Sequence, residues 1–211
     1  MLIYGALISP YVRKVGIAAA EKGIAWDLIP TSPRSPDPDF NAASPFGKIP
    51  AMQDGDYRLA DSSAIVAYLE AKHPAPALLP TDAKARGKAV WFDEFADTML
   101  CASGLKVLFN RFVGPKLLKV PGDEALAAQG EAELPPLYAY LESVCPAEGW
   151  LVGEKFSLAD IAVASVFRSL QYVNVDPKPE QYPATVAWYG RVRERPSWQQ
   201  IAVQEDAARR R

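Results

Sequence analysis

A proline-broken stretch, Pro74-Ala75-Pro76-Ala77-Leu78-Leu79-Pro80, separates two parts of the chain that obey different periodicities. Before it, short β-like runs alternate with helical ones. After it, no convincing strand pattern follows, and apolar residues recur only at helical spacing. A chain patterned this way is expected to fold as an α/β layer followed by an all-helical unit, with the change near residue 78.

The first part reads β-α-β-α-β-β-α. Leu2 to Ile8 is rich in Leu, Ile and Tyr and predicts a strand. Ser9-Pro10 then places a hydroxyl at a helix N-cap and proline at the first helical position, where its missing N–H costs little. Val12, Val15 and Ala19 continue at helical spacing, and Gly23 is placed to stop the helix. Ala25 to Ile29 predicts a second strand, completing a βαβ unit that favours a right-handed parallel crossover. Four prolines between Pro30 and Pro38 exclude regular structure there. A short helix is expected over Asp39 to Ala43, a strand from Ile49-Pro50-Ala51-Met52, and a hairpin turn at Asp54-Gly55 leading into Tyr57 to Ala60. Asp61-Ser62 caps a further helix that ends before His73-Pro74.

Beyond the linker, helices are predicted from Ala83 to about Val113, from Glu124 to Val144, interrupted or kinked near Pro135-Pro136, and from Ser157 to about Tyr172. A last helix is expected from Ala184 to Glu194, halted by Pro196. Phe156-Ser-Leu-Ala-Asp160-Ile161 carries a capping box, Ser157 with Asp160, and a hydrophobic staple, Phe156 with Ile161. Its role is folding, so Asp160 is not counted as catalytic.

Composition narrows the function. A net charge of −2 gives no global field for nucleic acid or anionic lipid. The terminal Arg209-Arg210-Arg211 run is too short to change that and reads as solvated chain. Apolar stretches fall far short of the roughly 20 residues that span a bilayer, and the N-terminus lacks a signal-peptide pattern. Cys101 and Cys145 form no CxxC or Cys/His pattern, so buried free thiols in a reducing cytoplasm are expected, without disulfide, zinc or other metal. The sole histidine, His73, lies beside the linker, and no Ser/His/Asp triad can be assembled around it.

Three short segments carry chemistry. Ser9 lies where a helix mouth favours an anion. Its hydroxyl could hold a thiolate and lower the thiol's pKa, although from Ser9-Pro10-Tyr11 alone a plain capping role is the simpler reading. Pro50 suits a strand start or a cis turn that presents the Ile49 backbone to an extended peptide. Asp61-Ser62 is a cap on its plainest reading. Functionally, Ser62 and neighbouring N–H groups would receive a carboxylate while Asp61 holds an amino group, the two ends of an α-amino acid.

Together these segments resemble the glutathione S-transferase family over essentially the whole chain. Ser9 to Val15 is similar to the family's first strand-helix junction, Asn41 to Met52 to the segment entering its cis-proline, and Leu59 to Ile65 to its γ-glutamyl-binding turn, with Asp61 where Glu is more usual. The resemblance implies a thioredoxin-like domain over residues 1–76, a linker at 77–83 and an all-helical domain over 84–211 that contributes the electrophile pocket. It implies a cytoplasmic, homodimeric detoxification enzyme of bacterial-like, serine type. Glutathione would be a co-substrate, with no resident cofactor, and a small hydrophobic electrophile the second substrate.

Residue by residue, Ser9 would face the glutathione sulfur, with Tyr11 a second candidate hydroxyl and Tyr4 a distant third. Ile49 and Pro50 would meet the cysteinyl part, Lys48 the glycyl carboxylate, and Asp61 with Ser62 the γ-glutamyl end. The acceptor pocket would face the helix carrying Trp91, Phe95 and Met99, with Phe109 to Phe112 near its end. Members of the family conjugate electrophiles, reduce peroxides, isomerise double bonds or dehalogenate through one activated thiolate, and the sequence does not choose among these. A rival reading is a non-catalytic, protein-binding module of the same family. Such modules tend to lose the thiol-facing hydroxyl or the γ-glutamyl pair, whereas Ser9, Pro50, Asp61 and Ser62 are all present.

Overall fold

The computed structural model describes residues 1–209, without the side chain of Arg209. Arg210 and Arg211, part of the arginine run singled out above, lie outside the described residues. The chain forms two compact units, one of residues 1–78 with the segment from Glu194 onward, the other Leu79–Arg193.

The first unit is thioredoxin-like. Strands β1 (Leu2–Gly5), β2 (Asp27–Pro30), β3 (Ala51–Asp54) and β4 (Tyr57–Ala60) form one sheet in the order β2-β1-β3-β4. β1 and β2 run parallel, and the other pairs are antiparallel. β1 is shorter than the expected Leu2–Ile8 because the Ser9 amide turns back onto the Ala6 carbonyl at 2.9 Å. The hairpin between β3 and β4 turns on Gly55 and Asp56, with Gly55 at φ +64°. Side chains alternate across the sheet. Tyr4 and Ala51, paired in register, pack with Phe40 and Ala43 of α2 (Pro38–Ala43). Ile3 and Met52, also paired and fully buried, point to the opposite face.

Helix α1 (Pro10–Glu21) packs against α3 (Ser62–Lys72) and against α9 (Pro196–Arg209). Pro196, read from sequence as a stop, also serves as the first residue of this new helix, where a proline fits well. Covered from two sides, α1 buries Arg13 and Lys14 together with its apolar residues. At Gly16 the helices come close: a Cβ there would sit 3.1 Å from the Trp26 ring and 3.5 Å from Ile201. Gly23, at φ +64°, ends α1, and Ile24 N–H reaches back to the Ala19 carbonyl.

The second unit is helical. A run from α4 (Ala83–Glu94) through π-helical turns at Phe95–Leu100, α5 (Cys101–Leu108) and further π-helical turns at Phe109–Leu118 precedes α6 (Glu124–Val144), α7 (Leu158–Gln171) and α8 (Pro183–Arg193). α6 is continuous through Pro135-Pro136, so of the two possibilities expected there the interruption does not occur. Its buried line Ala127, Gly130, Leu134, Tyr138 and Leu141 packs mainly on α5, which offsets the backbone bonds that the prolines cannot make. Asp160, at the start of α7, accepts from Leu151 N, Ser157 N, Ser157 Oγ and Trp188 Nε1, tying three segments to one carboxylate. Burial pushes this carboxyl above its ordinary value, while the hydrogen bonds pull the other way.

Candidate functional site

Sheet register determines which sequence segments meet. Tyr4 pairs with Ala51, and Ala51 with Ala60. The end of β1, the start of β3 and the end of β4 therefore share one end of the sheet. From that end emerge the loop to Ser9, the Lys48-Ile49-Pro50 entry to β3, and Asp61-Ser62. A Cβ added at Gly5 would meet Val12 of α1 and lie 3.5 Å from the Ile49 Cβ, which fixes how closely the first two approach. Lys14 Nζ donates to Ser63 Oγ at 3.0 Å and so joins the first turns of α1 and α3. Two helix N-termini thus sit side by side: that of α3 already holds the Asp61 carboxylate, while that of α1 has neither a side-chain cap nor an acidic residue in its first turn and favours an anion.

Ser9 is the N-cap residue of α1 by backbone position, at φ −68° and ψ 126°, yet its side chain makes no capping hydrogen bond. Its backbone is committed, N–H to the Ala6 carbonyl and carbonyl to Arg13 N–H. This differs from the capping role that the local sequence favours. Proline at the next position removes one amide that would otherwise need an acceptor.

The Ile49–Pro50 bond is cis. Its approach is shaped by Ser44, whose hydroxyl accepts from Lys48 N–H at 2.9 Å and donates to the Lys48 carbonyl at 2.7 Å. The Lys48 side chain is exposed. Asp61 adopts φ +80° and caps α3, its Oδ1 accepting from Ser63 N at 2.9 Å and Ala64 N at 3.1 Å. Both bonds use one oxygen of an exposed carboxylate. Ser62, the first residue of α3, is 2% exposed.

The other hydroxyls considered are placed differently. The Tyr4 ring lies in the cluster of Phe40, Ala43 and Ala51, and its hydroxyl donates to Gln53 at 3.4 Å. Burial, with the carboxylates of Asp39 and Asp37, pushes its pKa above 10. Tyr11 is half-buried on α1. His73 closes α3, and its carbonyl accepts from the buried Lys22 ammonium.

In the helical unit, Phe95 is buried and stacks on Trp91, while Trp91 and Met99 stay 43% and 46% exposed. Of the Phe109 to Phe112 group, Phe112 stacks on Tyr172, Arg111 pairs with Glu124 and Glu131, and Asn110 bonds the Lys106 carbonyl. Among the described residues no cluster suited to a metal ion occurs.

Sequence reading missed one element of this end. Arg13, one turn into α1 from Ser9, forms a two-pronged ion pair with Glu205 of α9, at 2.9 Å from Nε and 2.8 Å from Nη2. Both residues are 1% exposed. Nothing local in the sequence marks Glu205, although a charged pair inside an otherwise apolar first turn is a signal at Arg13-Lys14.

Comparison with known proteins bears on the fold and the family of the chain. The glutathione S-transferase N-terminal domain model matches residues 3–77 and the C-terminal domain model residues 100–196. Glutathione S-transferase 3 of Zea mays is 31% identical over 209 residues, covering 95% of this chain and 92% of that one. A glutathione S-transferase from Rhodospirillum rubrum F11 superimposes with a TM-score of 0.83 at 27% identity, over 95% of this chain and 90% of the other. Glutathione S-transferase-I bound with lactoylglutathione gives 0.81 at 27% identity, over 96% and 98%. Fold, paired domains and relatives converge, and the chain belongs to the glutathione S-transferase family.

Proposed function

We propose that this enzyme binds glutathione at the shared end of the sheet and lowers the pKa of its thiol through Ser9. The observation that carries this is the Ser9 hydroxyl, at a helix mouth and unspent on capping. Donating to a thiolate, it would add a charge-assisted hydrogen bond of about 1.5–3 kcal/mol to the helix dipole's contribution of about 0.3–1 kcal/mol. The thiol proton leaves to solvent, the thiolate sulfur forms a bond to the electrophilic carbon, and that carbon's leaving group or π-electron pair takes the displaced electrons. Peroxide reduction is a further outcome of the same thiolate.

Ile49 would pair its backbone with the cysteinyl part, and Lys48 would attract the glycyl carboxylate. Asp61 would receive the γ-glutamyl ammonium with the oxygen its cap leaves uncommitted, and Ser62 the adjoining carboxylate. Ser63 N and Ala64 N are already bonded to Asp61, so the carboxylate reading rests on Ser62. The glutathione conjugate bound by the relative described above supports a tripeptide at such a site.

The test is Ser9→Ala. With no cap bond to lose, the variant should unfold within about 0.5 kcal/mol of wild type. Its bound thiol pKa, followed by ultraviolet titration of the thiolate, should rise by roughly one to two units. A wild-type titration would remove Ser9 from the mechanism and make Tyr11 the next hydroxyl to examine.

The same reading includes a homodimer. Phe46, on the loop before Pro50, is 87% exposed, an unusual situation for a phenylalanine, and β4 is a sheet edge. Sedimentation should give twice the chain mass at micromolar concentration, and Phe46→Ser should shift it toward the monomer. A wild-type protein sedimenting at the chain mass overturns the dimer. A reducing cytoplasm and a role in clearing electrophiles complete the proposal, and Cys101 and Cys145, which form no disulfide, suit that compartment.

A further inference from the structure

We infer that Glu205, from the C-terminal helix, is a positioning residue for the thiol-activating loop, acting through Arg13 on the Ile8 carbonyl; this rests on the reading of Ser9 above. Among the hydrogen bonds that shape the loop from β1 to Ser9, two bear on its position. One is local, Ser9 N–H to the Ala6 carbonyl. The other is Arg13 Nη2 to the Ile8 carbonyl at 3.4 Å, from the residue directly preceding Ser9. The same guanidinium presents Nε and Nη2 to the two oxygens of Glu205.

A planar fork held at two points by a carboxylate has little freedom left, so the carboxylate determines where Nη2 stands relative to Ile8. Glu205 cannot drift, because its side chain is buried and α9 is anchored independently by Arg195, which forks onto Glu21 of α1 at 2.7 Å through each of two nitrogens. The approach of α1 and α9 is fixed again where Ile201 and Trp26 close over Gly16. The glutathione-binding end is therefore aligned by a residue 192 positions from Arg13, on the C-terminal helix.

Removing Glu205 alone leaves a buried cation, whose field would itself act on a nearby thiolate. The test therefore uses the charge-neutral double variant Arg13→Met/Glu205→Leu, since paired apolar replacement of a buried ion pair commonly preserves folding. Circular dichroism and the melting transition verify the fold. Thiol pKa of bound glutathione, kcat and KM are then measured in wild type, Ser9→Ala, the pair variant and the combination of all three changes.

The pair variant should raise the bound thiol's pKa by about half a unit or more and lower kcat several-fold near neutral pH, with KM for glutathione within about twofold. In the Ser9→Ala background the pair substitution should add no further pKa shift, because its effect passes through that hydroxyl. A folded pair variant with wild-type thiol pKa overturns the inference, as does an undiminished shift in the Ser9→Ala background. A Ser9→Ala protein with wild-type thiol pKa overturns the reading of Ser9 instead. Should the pair variant not fold, Glu205→Asp retains the charge but shortens the reach, and the same pKa comparison applies to it.

Discussion

Asp61 sits where backbone and side chain make opposing demands. Its φ of +80° is a region that residues with a Cβ rarely adopt, while its carboxylate supplies the α3 cap. Asp61→Ala should lose the cap and keep the strain, at about 1–2 kcal/mol. Asp61→Gly also loses the cap but relaxes the backbone, and should cost roughly half as much. Urea midpoints of the two variants check this, and an Ala variant equal to or above the Gly variant would show that no strain resides there. At Asp160 four donors converge on a buried carboxylate, so Asp160→Ala should destabilise by about 3 kcal/mol or more, chiefly through orphaned N–H groups. Burial pushes the Cys145 thiol up to about 12, and Cys101 is buried outright. Neither should be alkylated in the native protein near neutral pH, which mass spectrometry after iodoacetamide reads directly.

Between elements, α5 and α6 are joined by Glu133, which accepts from Lys106, Ser103 and Gln129. Those donors, Lys106 foremost, hold its carboxyl down at about 2 against an ordinary 4.5. A lowered folded value means stability that is present above the unfolded value and lost as pH falls toward the folded one. Wild type should therefore exceed Glu133→Gln in urea midpoint at about pH 6, and the gap should close by about pH 2. The pair is partly exposed, so added salt should narrow the gap as well. A gap independent of pH would assign the effect to packing. The Asp61 cap was legible in the sequence because its carboxylate bonds amides two and three residues onward, within reach of any local window. Asp82 and Asp123 cap their helices in the same local way, which the sequence reading of helices from Ala83 and Glu124 did not name. Ser9 looks the same locally and behaves differently: its amide turns onto the Ala6 carbonyl and its hydroxyl makes no cap bond, although Asp37, also followed by a proline, caps its helix. The continuity of α6 through two prolines was not legible, since it depends on its packing against α5.

For the whole molecule, α9 belongs with the α/β unit, covering the face of α1 that carries Arg13. Deleting the chain from Pro196 onward should speed hydrogen exchange in α1 while leaving α7 protected by its Asp160 hub. Unchanged exchange in α1 would show that α9 is dispensable to it. Short-range chemistry was enough to read the α/β layer, the helical unit after it, and Ser9, Ile49, Pro50, Asp61 and Ser62 as candidates, while the thioredoxin-like fold and the part given to Lys48 came from the family resemblance. Strand alternation, caps and turns are written within a few neighbouring residues, so they survive in sequence alone. Which strand ends meet was decided by the β2-β1-β3-β4 register. That Arg13 and Lys14 are buried, and that Glu205 pairs with the arginine that reaches the Ile8 carbonyl, depended on two helices at opposite ends of the chain packing together. Burial and pairing across that separation are properties of the folded chain, because only its packing determines which charges lose water and find each other.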